Sequence, residues 1–267
     1  MRICKFYISL VFIFIFSYIH AEHVTGDSLN ESNAIWVDLH EKIAPSIVII
    51  RGVNDYVTSR EEFRSSLSYY LYSAGNSLYR YWHNIEPYYS GAGFIISSDG
   101  YIITSSSLLK DLLVIKVSLI NGEEYDARLV YSDSDTGLSL IKIEKDQLPF
   151  LSFGSSDDVS VDEQVALFTN VSLIPRGNCI EPKMSKGYVR GKLSKTHLLE
   201  TTDYLFKCQI DNWNVNDIGG AITNIKGEII GVFPSIYYPS NKSMNLILPI
   251  NLIKSIVKEQ MEKDSLK

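Results

Sequence analysis

Gly91-Ala-Gly-Phe-Ile-Ile-Ser-Ser-Asp-Gly-Tyr-Ile-Ile-Thr104 decides how the rest of the chain is read. Two short apolar runs, Gly93-Phe-Ile-Ile96 and Tyr101-Ile-Ile-Thr104, flank Ser97-Ser98-Asp99-Gly100. An Asp-Gly pair between β-branched and aromatic runs is a strong signal for a tight hairpin. Downstream the pattern repeats. Leu113 to Leu119 and Tyr125 to Val130 flank Asn121-Gly122, and Leu138-Ser-Leu-Ile-Lys-Ile143 alternates. Upstream, Ser46-Ile-Val-Ile-Ile50 is a short strand behind Pro45, which stops a helix over Ala34 to Ile43 with Ile35, Leu39 and Ile43 on one face. A second series follows at Gln164 to Phe168, Gly187 to Leu193, Leu205 to Ile210, Ala221 to Asn224, Glu228 to Val232 and Leu246 to Pro249. Ile250 to Met261 closes it as an amphipathic helix with Ile253, Ile256, Val257 and Met261 inward. Strands this short and evenly spaced indicate an all-β fold of barrels or sandwiches.

The 267 residues are 45% hydrophobic and 21% charged, ordinary for a globular chain of this length. Arg2 and Lys5 precede an apolar run from Phe6 to Ile19, and a small residue stands at Ala21. This predicts a signal peptide over 1–21, hence export, with a membrane attachment only if the signal stays uncleaved. Its removal takes two of 25 basic residues and leaves 31 acidic ones, a mature charge of about −8. That balance argues against nucleic-acid binding, which needs clustered positive charge. No CxxC or HxxxH spacing occurs, so neither a metal nor a cofactor is expected. Cys179 and Cys208 remain, and export with an even count favours pairing them. Residues 22–33 are polar and read as a flexible lead-in.

Residues 54–90 differ from their surroundings. They hold Phe63, Tyr69, Tyr72, Tyr79 and Trp82 among many aromatics, and Leu67, Leu71, Ala74 and Leu78 recur at helical spacing. This predicts a long, partly helical insertion. Rings with one apolar and one polar end favour interfaces, so those five aromatics are candidates for an interaction surface.

Eight patterns occur together and in order. They are Ala44-Pro-Ser-Ile-Val48, Gly91-Ala-Gly-Phe-Ile-Ile96, Asp99-Gly-Tyr-Ile-Ile-Thr104, Asn121-Gly-Glu-Glu-Tyr-Asp-Ala127, Leu138-Ser-Leu-Ile-Lys-Ile143, Leu151-Ser-Phe-Gly-Ser-Ser156, Gly219-Gly-Ala221 and Gly227-Glu-Ile-Ile-Gly231. Taken together, over roughly residues 34 to 262, they resemble the protease domain of the HtrA/DegP family of trypsin-like serine proteases. The resemblance implies two antiparallel six-stranded β-barrels with a cleft between them. The N-terminal barrel would occupy 34–145 including the insertion, and the C-terminal barrel with its helix 146–267. Family members often add peptide-recognising PDZ domains, for which no segment is expected here. The resemblance also implies protein clients or related protease subunits as partners, a homo-oligomer (a trimer), and the periplasm or cell envelope in a bacterium.

The chemistry departs from the family. Serine proteolysis needs an imidazole to take the serine proton, a carboxylate to orient it, and the serine to attack. The resemblance puts the histidine position at Ser107, the aspartate position at Gly137 and the nucleophile position at Ile218. A hydroxyl cannot shuttle protons near neutral pH, and Ile218 has no nucleophilic atom. The former oxyanion loop reads Asn216-Asp217 before Ile218-Gly219, one residue shorter than the family pattern, with Asn216 where a glycine is usual. Asp133 and Asp135 lie nearby, and a one- or two-residue register slip would bring Asp135 close to the Gly137 position; Cys208 or one of His23, His40, His83 and His197 could supply different chemistry. The expectation is a protease homologue without catalysis, acting by binding proteins. The alternative is an atypical endopeptidase using displaced residues.

Overall fold

A computed structural model describes residues 26–54, 88–110, 112–170, 182–194, 204–213, 217–233 and 245–266. Residues 1–25, which hold the expected signal peptide, residues 55–87 with all five candidate interface aromatics, Cys179 and Asn216 lie outside the described residues. Two compact units are defined, 1–40 and 41–267. The described part of the first lies on helix α1 (Gly26–Ile43). That helix starts eight residues before the expected Ala34, inside the stretch read as a flexible lead-in. Its buried side chains are Trp36, Leu39 and Ile43, whereas Ile35 is half-exposed. The i, i+3, i+7 spacing keeps the large Trp36 ring in line with Leu39 and Ile43, so it displaces Ile35 from the expected face.

The second unit holds twelve strands in two closed antiparallel barrels. After a 3-10 turn at Ala44–Ser46, the first barrel takes β1 (Ile47–Asn54), β2 (Tyr88–Ile95), β3 (Tyr101–Ser105), β4 (Leu112–Ser118), β5 (Glu124–Asp133) and β6 (Leu138–Ile143) in the order β1-β2-β3-β6-β5-β4. The hairpins turn at Asp99-Gly100 and Asn121-Gly122, as the dipeptides require. The barrel interior is built from every second residue: Val48 and Ile50, Ile95, Ile102, Val117, Ile141 and Ile143. A short helix, α2 (Ser106–Leu109), follows β3.

The second barrel takes β7 (Gln164–Asn170), β8 (Pro182–Ser194), β9 (Tyr204–Ile210), β10 (Ala221–Asn224), β11 (Ile229–Val232) and β12 (Asn245–Pro249) in the order β10-β11-β12-β9-β8-β7. Val165, Leu167, Val189, Phe206, Cys208, Ile222, Ile230 and Ile247 fill it. β8 begins at Pro182, five residues before the expected Gly187, because Pro182 to Lys186 pairs with β7 although its sequence is polar. β1 and β2 also reach past the expected limits of the insertion: Val53 pairs with Tyr88, so residues 55–87 leave and rejoin the barrel at adjacent points.

β1 and β2 of the first barrel pack against β7 of the second, and two further devices join the barrels. The linker passes alongside β11, where Gly154 N–H donates to Ile229 O at 2.8 Å and Ile229 N–H to Ser152 O at 2.9 Å. The last helix, α3 (Ile250–Ser265), packs on β11 and β12 and also on β5. Lys254 Nζ donates to Gly154 O near its start. Near its other end Asp264 receives both Arg128 terminal nitrogens, at 2.7 and 2.6 Å, and the Tyr101 hydroxyl at 2.8 Å. The Asp264 carboxylate raises the Arg128 pKa through those hydrogen bonds. Burial first, then Asp264, pushes the Tyr101 hydroxyl up to about 12.

Candidate functional site

Three backbone segments meet where β3 ends. Ser105 caps α2: its Oγ accepts the Ser107 N–H at 3.3 Å and lies 3.0 Å from Ser107 Oγ. Ser105 is buried and Ser107 exposed. Thr104 Oγ1 donates to Ala92 O at 2.8 Å, tying β3 to β2.

Gly137 ends the turn between β5 and β6. Its carbonyl accepts the Ser106 N–H at 2.9 Å, which joins the second segment to α2. Gly137 is buried with φ +71°, a left-handed conformation that most side chains resist. The two nearby carboxylates face other partners or solvent. Asp133 spends its oxygens on its own turn, accepting from Asp135 N at 2.9 Å and from Thr136 Oγ1 at 2.7 Å, and Asp135 is exposed.

The third segment comes from the second barrel. Ile218 is half-buried and packs on that barrel's core, as does Trp213. Gly219 has φ +86° and donates its N–H to Phe233 O at 2.9 Å. A Cβ placed there would stand 2.5 Å from Ala92 O, 3.1 Å from Thr104 Oγ1 and 3.2 Å from Ser105 N. Only glycine fits, so this loop seats directly on β2 and β3 of the first barrel. Ser107, Gly137 and Ile218 therefore lie on segments that the fold brings to one place.

The chemistry assembled there is neutral. No acid–base pair spans Ser107, Gly137 and Ile218. His40 lies on α1, while His23, His83 and His197 lie outside the described residues. Cys208 is a free thiol in the second barrel's interior, and burial pushes it up to about 12, so it is protonated and unreactive at neutral pH. Among the described residues no cluster of His, Cys, Asp or Glu could hold a metal.

Asp217 was singled out in the sequence as part of the former oxyanion loop, but its partner Lys183 was not. Asp217 is fully buried, accepting from Thr169 Oγ1 of β7 at 2.9 Å and from Lys183 Nζ of β8 at 2.9 Å. The signal available was weak: a lysine in a polar strand half, paired directly with a buried threonine.

Two closed six-stranded barrels that bring together the β3–α2 junction, the β5–β6 turn and the residues just before β10 define the trypsin-like class of proteins. The trypsin-like peptidase domain family matches residues 91–232. The chain belongs to that family, in its HtrA/DegP branch. A "probable periplasmic serine endoprotease DegP-like" of Chlamydia trachomatis is 34% identical over 148 residues, 55% of this chain and 28% of the relative. A relative of the same name from Pseudomonas putida is 34% identical over 176 residues, 65% of this chain and 35% of the relative. The chain thus spans only about a third of the length of these curated relatives. Among solved structures, the HtrA-type protease AlgW with a tripeptide superposes with a TM-score of 0.64 at 19% identity, over 86% of this chain and 64% of that one. That likeness extends to the fold.

Proposed function

We propose that this chain is a catalytically silent HtrA-type domain, exported to the cell envelope, that acts by binding proteins as a chaperone-like or regulatory subunit. The observation that carries this reading is that the segments bearing Ser107, Gly137 and Ile218 meet at one junction. None of the three side chains can abstract a proton or attack a carbonyl at neutral pH. The relatives are named periplasmic, which supports export. The clients are unfolded proteins or related protease subunits, and self-association, as a trimer, runs through the aromatics Phe63, Tyr69, Tyr72, Tyr79 and Trp82.

The test is direct. Purified protein is incubated with casein and with a serine-reactive phosphonate, and its capture of an unfolded model protein is followed by fluorescence polarisation. Binding without cleavage or labelling supports the reading. Cleavage that survives repurification and is lost in Ser107→Ala sinks it in favour of an atypical endopeptidase, which the exposed Ser107 hydroxyl and the relatives' names favour. The role of the aromatic segment has its own test. Because Val53 and Tyr88 are paired, residues 58–85 can be replaced by a short Gly/Ser linker without opening the barrel. Loss of self-association or client capture is expected; unchanged size by light scattering and unchanged capture would show the segment to be mere filling.

A further inference from the structure

The segment at the nucleophile position is held from beneath by one ammonium group. Lys183 Nζ donates to Asp217 Oδ2 at 2.9 Å and to the carbonyl of Asn212 at 2.6 Å. Asn212, in the left-handed region with φ +52°, lies in the turn that leaves β9, and Asp217 stands immediately before Ile218 and Gly219. Lys183 therefore ties the chain entering this loop to the chain leaving it. The second carboxylate oxygen of Asp217 is taken by Thr169, which sits directly opposite Lys183 on the β7–β8 ladder, so both anchors belong to one rigid pair of strands.

The tie transmits to the cleft. Gly220 N–H donates to Asp217 O at 3.1 Å, Gly219 N–H to Phe233 O at 2.9 Å, and the Gly219 Cα faces Ala92 O and Thr104 Oγ1 of the first barrel. Moving Asp217 moves Gly219 off that surface. A fully buried carboxylate without its cation is strongly unfavourable, and its cheapest relief is to move into water. The Lys183 side chain keeps 21% of its surface exposed, against 1% for that of Asp217, so the ammonium already has a route to solvent and the carboxylate has none.

We infer that the Lys183–Asp217 pair is a latch that fixes the floor of the cleft, with Lys183 as a positioning residue for Ile218 and Gly219. Released, the carboxylate hydrates and the floor leaves the first barrel. The latch operates whether the cleft binds or cleaves, so its failure and that of the binding reading are separable.

Hydrogen exchange with peptide resolution on the full protein tests it without any client. Lys183→Met should raise exchange by about tenfold or more in peptides covering residues 211–221, leaving the β3, β6 and β7 peptides unchanged. Asp217→Asn removes the charge that needs a cation and should raise exchange less. The double variant should lie closer to wild type than Lys183→Met alone, because no buried charge is left to hydrate. Unchanged exchange in 211–221, an equal rise across both barrels, or a double variant no better than Lys183→Met would overturn the latch. If Lys183→Met does not fold, Asp217→Asn against wild type carries the same decision: a rise confined to 211–221 supports the latch, and none overturns it.

Discussion

Rebuilding a triad into this cleft should fail, and the structure says by how much. Consider Ser107→His, Gly137→Asp and Ile218→Ser together. Ser107 is exposed, so its replacement should stay within about 0.5 kcal/mol. Gly137 is buried at φ +71°, and an aspartate held in the left-handed region is strained by about 1 kcal/mol. Its buried carboxylate, incompletely hydrogen-bonded, costs about 1–3 kcal/mol more. Ile218 is half-buried on the second barrel's core, and replacing it by serine forfeits about 1–2 kcal/mol. The total, about 3–6 kcal/mol, is a large share of the ~5–15 kcal/mol typical of a folded domain. For a unit of this size it corresponds to a melting point lowered by about 6–24 °C. Denaturant titration of each single variant and of the triple one measures these costs, and casein or peptide turnover measures activity. The triple variant is expected to fold, to be destabilised by about that amount, and to show no turnover above background. Turnover close to that of an active HtrA-type protease, or stability equal to wild type, would refute the reasoning.

Other outcomes follow from the joints. Asp264→Ala leaves the buried Tyr101 hydroxyl unpaired and dissolves the Arg128 ion pair, so unfolding should become easier by about 2–4 kcal/mol, with less than additive loss when combined with Tyr101→Phe. Equal losses in the single and double variants added together would show that the two residues act apart. The Tyr101 hydroxyl is raised from 10.0 to about 12 in the folded protein, so its neutral form contributes stability that is complete below pH 10 and is lost as pH rises through 12. Unfolding free energy should fall over that window by about 2–3 kcal/mol, and Tyr101→Phe should flatten the fall; an unchanged alkaline limb would contradict it. Cys208 should react with a thiol reagent at neutral pH only as fast as the protein unfolds, a rate that rises with denaturant; immediate labelling of native protein would place the thiol at the surface. Mass spectrometry of non-reduced peptides then reads whether Cys208 ever pairs with Cys179.

The parts of the fold that were readable are those written in neighbouring residues. Asp99-Gly100 and Asn121-Gly122 announce their hairpins because a tight turn is a property of two or three residues. Ser107, Gly137 and Ile218 could be set in register because short apolar strands with recognisable motifs, β3, β6 and β10, adjoin each of them. What escaped is non-local. Lys183 finds Asp217 across 34 residues, and Asp264 finds Tyr101 across 163, through pairings that no window of sequence contains. The polar half of β8 was overlooked for a related reason. Pro182 to Lys186 is strand only because β7 offers it a ladder, and its own composition carries no strand signal. Ile35 lost its expected place to Trp36 because two helix faces were nearly equivalent in spacing and the larger ring was buried.

The α3 strap imposes an order on assembly. A ribosome releases the first barrel's strands, then the second's, and only afterwards the residues of α3. Until Asp264 arrives, the Tyr101 hydroxyl lacks its hydrogen-bond acceptor and Arg128 keeps only its longer contact to Glu144, and the two barrels meet without the helix. Until α3 docks, the side of β5 that receives it is open to water and to any chaperone that meets it. Docking of the helix closes that face and gives Tyr101 and Arg128 their shared carboxylate together.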